Sequence, residues 1–334
     1  MGVEKIRVSF GSAVKLGLIL NKKIDEFPTT CYLMTYIHGK CAANCGFCPQ
    51  ARSSKSSLDK LSRIIWPVFD LKEVLTKLKY LISSDRFERI CIQTLKYPEN
   101  FNDLVKIIQK LKESTSTPIS IAIPPMSNED LFELRSLGVE RVGIAFDAAT
   151  PEIFDRIKGK EINGPYDWNT HYECIKEALK IFSKGFVSTH IIVGLGETQE
   201  EISNLIDELN NLELLPALFA FMPIRGTRLE NLERPDIVDF RKIQLARYLL
   251  IHDKKSIKDI TFNRKGEIIN FNLNKRELSN IIDESVAFMT TGCPDCNRPY
   301  YTSRPSGPIY NYPRILQESE KNKIFKQLKS FVKL

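Results

Sequence analysis

Between residues 29 and 292 the chain alternates short apolar runs with amphipathic stretches, and this alternation restricts its fold more than any other feature. "TTCYLMTYI" (29–37) has the length and composition of a strand. "LKEVLTKLKYL" (71–81) places apolar residues at Leu71, Val74, Leu75, Leu78 and Leu81, the spacing of one helix face. Further strands are predicted at "RICIQTL" (89–95), "PISIAI" (118–123), "RVGIAF" (141–146), "VSTHIIVG" (187–194), "ALFAFMPI" (217–224), near 258–263, and at "VAFMTTG" (286–292). Helical patterns separate them at 102–113, 127–138, 168–183, 199–211, 237–252 and 275–284, with Thr150 and Pro151 starting another. Such alternation predicts a parallel sheet. Eight units in roughly 260 residues is what a (β/α)8 TIM-type barrel needs. An open doubly wound sheet would use fewer strands. The expected organisation is an N-terminal extension (1–28), a barrel (29–296), and a C-terminal extension (297–334) with a Pro-, Tyr- and Arg-rich segment and a closing helix at 315–333.

Hydrophobic residues make up 43% of the 334, ample for a packed core. No run approaches the ~18 apolar residues of a membrane span. The N-terminus lacks the apolar core and cleavage site of a signal peptide. Ile6 stands where a myristoylation signal wants Ser or Thr. An intracellular, cytoplasmic protein without membrane contact is expected. In a reducing compartment, clustered cysteines bind metal or do redox chemistry more often than they form disulfides. The net charge is +7, but the lysines are dispersed and no aromatic-basic motif accompanies them. That pattern suits a solvated surface or a modest steering field for an acidic partner, not nucleic-acid binding.

"CAANCGFCPQ" (41–50) puts Cys41, Cys45 and Cys48 on the loop after the first predicted strand, where barrel active sites gather. Thiolates hold iron–sulfur clusters. In a cubane with four irons, three thiolates leave one iron open for a substrate or cofactor. The alternative is zinc, with His38 as fourth ligand. The Cys-x3-Cys-x2-Cys spacing, with Phe47 before the last cysteine, resembles the signature of the radical S-adenosylmethionine (SAM) superfamily. That resemblance implies a [4Fe-4S] cluster whose open iron chelates SAM. In "HIIVGLGET" (190–198) it implies that the backbone near Ile192 meets adenine and that Gly194 and Gly196 allow close approach to the cofactor. An ordinary strand-to-helix turn is the plainer reading. Asp147 resembles a residue contacting the SAM ribose, or else it starts a helix beside Thr150.

"CPQAR", "VGLGET", "PIRGTRLE" and "MTTGC" narrow the resemblance to biotin synthase, a sulfur-inserting enzyme with a second cluster inside its barrel. Cys91 matches one of that cluster's ligands; the other cysteine positions fall near Ile119 or Ser120 and at Ser188. "GCPDCNRPYY" instead adds Cys293 and Cys296. The expected second site is an auxiliary [4Fe-4S] cluster on Cys91, Cys293 and Cys296, with Cys31 the rival to Cys91; a zinc knuckle or redox pair is the alternative. Cys174 reads as a packing residue. The same segment, continued by "RPSGPIYNYP", resembles the biotin-synthase-like proteins that act in pairs as a two-component lipoyl synthase. The resemblance implies sulfur insertion at C8 or C6 of an octanoyl chain on a carrier protein, drawing on the auxiliary cluster, with Ser303 or Ser306 as a further ligand. It implies three partners: an octanoylated or mercaptooctanoylated lipoyl carrier, the second synthase component, and a ferredoxin or flavodoxin. Biotin synthase, or a radical SAM enzyme whose second metal site gives no sulfur, is the alternative.

Overall fold

The computed structural model describes residues 3–81 and 86–333; Met1 and Gly2, where the myristoylation reading begins, lie outside the described residues. The strands are β1 (Lys5–Val8), β2 (Thr30–Thr35), β3 (Lys60–Leu61), β4 (Ile64–Ile65), β5 (Val68–Asp70), β6 (Arg89–Gln93), β7 (Ile119–Ile123), β8 (Val139–Ile144), β9 (Val187–Val193), β10 (Leu215–Ala220), β11 (Thr261–Phe262) and β12 (Ile268–Asn270). The helices are α1 (Phe10–Lys15), α2 (Leu71–Lys79), α3 (Asn100–Ser114), α4 (Asn128–Ser136), α5 (Pro151–Ile157), α6 (Trp168–Phe182), α7 (Gln199–Asn211), α8 (Ile237–Ile251), α9 (Lys275–Glu284) and α10 (Glu318–Leu328).

Eight strands form one mostly parallel sheet in the order β10-β9-β8-β7-β6-β2-β1-β5. The run from β2 through β10 is parallel, and β1 pairs antiparallel with both β2 and β5. The α/β, TIM-type architecture is therefore as expected, in the form of a partial barrel. The membership of the sheet differs from the sequence reading. Of the predicted strand near 258–263 only Thr261–Phe262 is extended, as β11, which pairs with β12 in a separate hairpin, while Ile257–Asp259 form a 3-10 turn. Residues 286–288 form a 3-10 turn, because Ser285, at φ 67, turns the chain as α9 ends. In their place β1 and β5 complete the eight.

The gap between the two ends of the parallel run is spanned by the segment after α9. At one end, the Leu218 N–H on β10 donates to Thr291 Oγ1 (2.9 Å). At the other, the Thr29 N–H donates to Asn297 Oδ1 (3.0 Å) and Asn297 Nδ2 donates to the Phe27 carbonyl (2.9 Å). Both guanidinium arms of Arg241 on α8 bond tail carbonyls, at Tyr310 and Ile309.

Strand alternation decides what the barrel holds. Side chains of successive strand residues point to opposite faces. Cys31, Leu33, Ile90, Ile92, Ile119 and Ile121 enter the core shared with the helices. Tyr32, Met34 and Cys91 belong to a second, inner cluster. Small residues on neighbouring strands (Ser120, Gly143, Ser188, Ala217) leave space beside Cys91. A Cβ on Gly143 would already come within 3.2 Å of Ser188 Oγ. Among the described residues no helix is long and apolar enough to cross a membrane.

Candidate metal and cofactor site

The loop after β2 is pinned along its length. Lys40 Nζ donates to the carbonyls of Pro49 (2.7 Å) and Ser56 (2.6 Å). The Cys41 N–H bonds the Gln50 carbonyl (2.9 Å), and the Gly46 N–H bonds the Ile157 carbonyl at the end of α5 (2.7 Å). Cys41 Sγ accepts amide N–H groups from Lys96 (3.1 Å) and Ala43 (3.4 Å). Burial pushes the Cys48 thiol up to about 12 and Cys45 higher still; at Cys45 the Lys158 ammonium works against burial, and the neighbouring cysteines add to it. Such thiols keep their protons until a metal displaces them. His38, the candidate fourth zinc ligand, is exposed and its Nδ1 faces the Tyr36 hydroxyl (3.3 Å). Among the described residues no three His, Cys, Asp or Glu groups converge on a single-ion site. A cubane takes each thiolate at a separate corner, so it accepts a wider set of donors than one ion does.

Inside the barrel lies a cavity of about 190 Å³ onto which Cys48, Cys91, Cys293, Cys296, Asp147 and His190 all open. Cys91 points inward from β6 and its Sγ accepts from Gln93 Nε2 (3.1 Å). Cys296 Sγ lies 3.1 Å from the Tyr32 hydroxyl, which in turn accepts the Arg298 N–H (3.1 Å). Burial, then the nearness of Cys293 and Cys296, pushes the Cys91 thiol up to about 12. Burial also raises Cys293, with Cys296 adding to it and Arg141, Arg89 and Arg298 easing it. The structure thus brings Cys91, Cys293 and Cys296 together. Cys31 faces the opposite side of β2, fully buried in the outer core. Ser303 is buried but its Oγ accepts the Tyr310 N–H (2.9 Å), Ser306 is exposed, and neither lines this cavity. Cys174 Sγ packs against the Met126 carbonyl (3.5 Å).

Asp147 also lines the cavity, on a left-handed backbone with φ 65. Its N–H donates to the His190 carbonyl (2.8 Å) and its carbonyl accepts the Ile192 N–H (3.0 Å). The N-cap of α5 is Thr150, whose Oγ1 accepts the Ile153 N–H (3.3 Å), so Asp147 is not the helix starter. Ile192 reaches the cavity wall, whereas Gly194 and Gly196 do not. Their φ values of 102 and 108 already demand glycine, and an added Cβ would meet Pro235 Cδ at 2.8 Å and Arg156 Nη2 at 2.7 Å. Glu197 binds the turn from within, accepting the N–H groups of Gly194 (2.6 Å) and Leu195 (2.9 Å).

Among the cavity residues that escaped the sequence reading are Tyr32, His190 and Arg298. Tyr32 could have been found from strand alternation against Cys31. His190 is held neutral, lowered to about 4 by burial and then by Arg298. The Arg298 guanidinium lies 4.0 Å from the centre of the Phe219 ring, with its Nε buried and unpartnered. No local pattern marks it.

The sequence profile described as "Radical SAM superfamily" matches residues 35–209. The chain is similar to biotin synthase of Methanococcus aeolicus, 26% identical over 201 residues, covering 59% of this chain and 57% of that protein. For biotin synthase of Clostridium acetobutylicum the figures are 25% over 208 residues, 60% and 59%. The matches thus span less than two thirds of these two relatives' own length. For biotin synthase of Thermotoga neapolitana they are 24% over 245 residues, 72% and 81%. Among solved structures, methylornithine synthase (PylB) aligns with a TM-score of 0.50 at 17% identity, over 71% of this chain and 67% of that one. HydG, a maturase of the [FeFe]-hydrogenase, aligns with a TM-score of 0.52 at 15% identity, over 66% and 50%. At these identities the structural likeness speaks for the fold alone. The profile covers more than half of the chain and begins at the end of β2, so that it takes in the loop carrying Cys41, Cys45 and Cys48: the chain belongs to the radical SAM superfamily.

Proposed function

We propose that this radical SAM enzyme inserts sulfur, as one component of a two-protein lipoyl synthase that works in the cytoplasm on an octanoyl or mercaptooctanoyl chain attached to a carrier protein. The observation that carries this reading is the second cysteine group: Cys91, Cys293 and Cys296 open onto the same cavity as Cys48, while the resemblance to biotin synthase would put cysteines near Ile119 or Ser120 and at Ser188, where this chain has none. Superfamily membership implies SAM and a [4Fe-4S] cluster, which Cys41, Cys45 and Cys48 would hold; Cys91, Cys293 and Cys296 would hold a second one. When bound, these groups supply hydrogen-atom abstraction from an unactivated carbon and a sulfide to take the hydrogen's place.

The protein's own part is to bind, orient and shield. Asp147 and Ile192 line the cavity, beside Cys48, in which SAM would sit. Gln93 and Tyr32 fix two of the three inner sulfurs, and such outer partners orient ligands and tune their basicity. Trp66, Phe219 and Tyr301 wall the cavity with aromatic rings, which keep water and stray hydrogen donors away. A small cavity inside a barrel suits a chain fed on a long arm. The net charge of +7 favours an acidic carrier and an acidic ferredoxin or flavodoxin donor.

The test is product analysis. Anaerobically reconstituted protein is incubated with reductant, SAM and either octanoyl- or mercaptooctanoyl-carrier, with and without the second component. Mass spectrometry should show one sulfur added to one of the two carriers. Conversion of dethiobiotin instead would establish the second reading, biotin synthase, which the similarity to biotin synthases favours. SAM cleavage without sulfur transfer to any substrate would refute both.

A further inference from the structure

We propose that Lys158 is a positioning residue of the SAM site, acting through Asp147. The inference rests on the reading that SAM binds beside Cys41, Cys45 and Cys48. Lys158 follows the last residue of α5 and is only 4% exposed. Its Nζ donates to Asp147 Oδ2 (2.7 Å) and to the Ala145 carbonyl (2.8 Å). The rings of Tyr166 and Phe154 flank the ammonium at 5.0 and 5.3 Å. The residue before it, Ile157, accepts the Gly46 N–H (2.7 Å) from within the cysteine loop. One ammonium therefore sits at the junction of the β8 end, the cysteine loop and the inner cavity.

Stability alone is a weak reason for this pair. Two charges taken out of water rarely stabilise a fold better than apolar side chains of the same shape. Asp147 moreover holds a left-handed backbone conformation that a residue with a Cβ adopts only under constraint. What the arrangement achieves is orientation. Lys158 occupies Oδ2, and Oδ1 has no protein hydrogen-bond partner among the described residues, on a side chain that lines the cavity. A carboxylate fixed at one oxygen presents the other as an acceptor at a set place. That is what a ligand with neighbouring hydroxyls, such as a ribose, requires.

The experiment is a double-mutant cycle on cluster-loaded protein, using Lys158→Met, Asp147→Asn and the double variant, with Lys158→Arg as the conservative control. SAM affinity is measured by equilibrium dialysis, and the SAM-induced change in the reduced cluster's EPR signal is recorded. Lys158→Met should weaken SAM binding by roughly 10- to 100-fold, the range for hydrogen bonds to charged groups. It should also diminish the spectral change, and Lys158→Arg should restore part of both. In the Asp147→Asn background, Lys158→Met should cost little more. The double variant leaves no lone buried charge, so it carries the comparison if the single variant fails to fold. Wild-type affinity in Lys158→Met, or losses that multiply in the double variant, would overturn the proposal. If loaded wild-type protein binds no SAM, it is the underlying SAM-site reading that fails.

Discussion

His190, half-buried in the cavity wall, and His171, fully buried, are both neutral at physiological pH, for reasons that can be read from their surroundings. His190 lines the inner cavity, 4.8 Å edge-on from Phe219, and burial, then Arg298, lowers it to about 4. His171 donates its Nδ1–H to the Asp167 carbonyl (2.9 Å), and burial, then Lys158, lowers it to about 2. An unfolded imidazole titrates near 6.5, so the unfolded chain binds more protons than the folded one below that pH. The stability the two neutral rings contribute is complete above about pH 6.5 and is lost as pH falls toward 4 for His190 and toward 2 for His171. Each should cost the cluster-free protein about 1.4 kcal/mol per pH unit in that window. Urea unfolding at pH 7 and pH 5 measures this. His190→Gln and His171→Asn should each flatten the dependence, and an unchanged slope in both would contradict the assignment. At this scale the sequence was most legible where residues are clustered along the chain. Cys41, Cys45 and Cys48 announce themselves by spacing, whereas Tyr32 and Cys296, separated by 264 residues, meet only through the fold.

Elements were legible where local chemistry decides them. The cap at Thr150 with Pro151 at the first turn, and that at Ser127, whose Oγ accepts the Asp130 N–H (3.1 Å), stand where expected. The strand near 258–263 and that at 286–292 were misplaced because apolar content alone does not choose a partner. β11 finds β12, and the chain past Ser285 coils before it runs beside β10. The turn from β9 to α7 gives a sharper case. Its glycines were read as openings toward a cofactor, yet Gly194 is required by its φ and by Pro235. Gly194→Ala should therefore destabilise the protein by about 2 kcal/mol, combining a left-handed Cβ penalty with a steric clash. Thermal unfolding of the cluster-free variant tests this. A melting point equal to wild type would show that the turn tolerates a Cβ. Gly194 does not line the cavity, so the cysteine loop should still take up iron.

The whole molecule depends on a closure that the sequence reading divided between the end of the barrel, to residue 296, and the C-terminal extension. Residues 289–303 bridge the two ends of the parallel run, and in doing so carry Cys293 and Cys296 to Cys91. The account of function stands on what those three thiols hold. Iron and labile sulfide per chain, measured after anaerobic reconstitution of wild type and of the Cys293→Ala/Cys296→Ala double variant, test it most directly. Two cubane clusters require about eight irons in the wild type and about four in the variant. If both proteins hold about four, the inner cysteines are not an iron site, and sulfur insertion by this chain is contradicted.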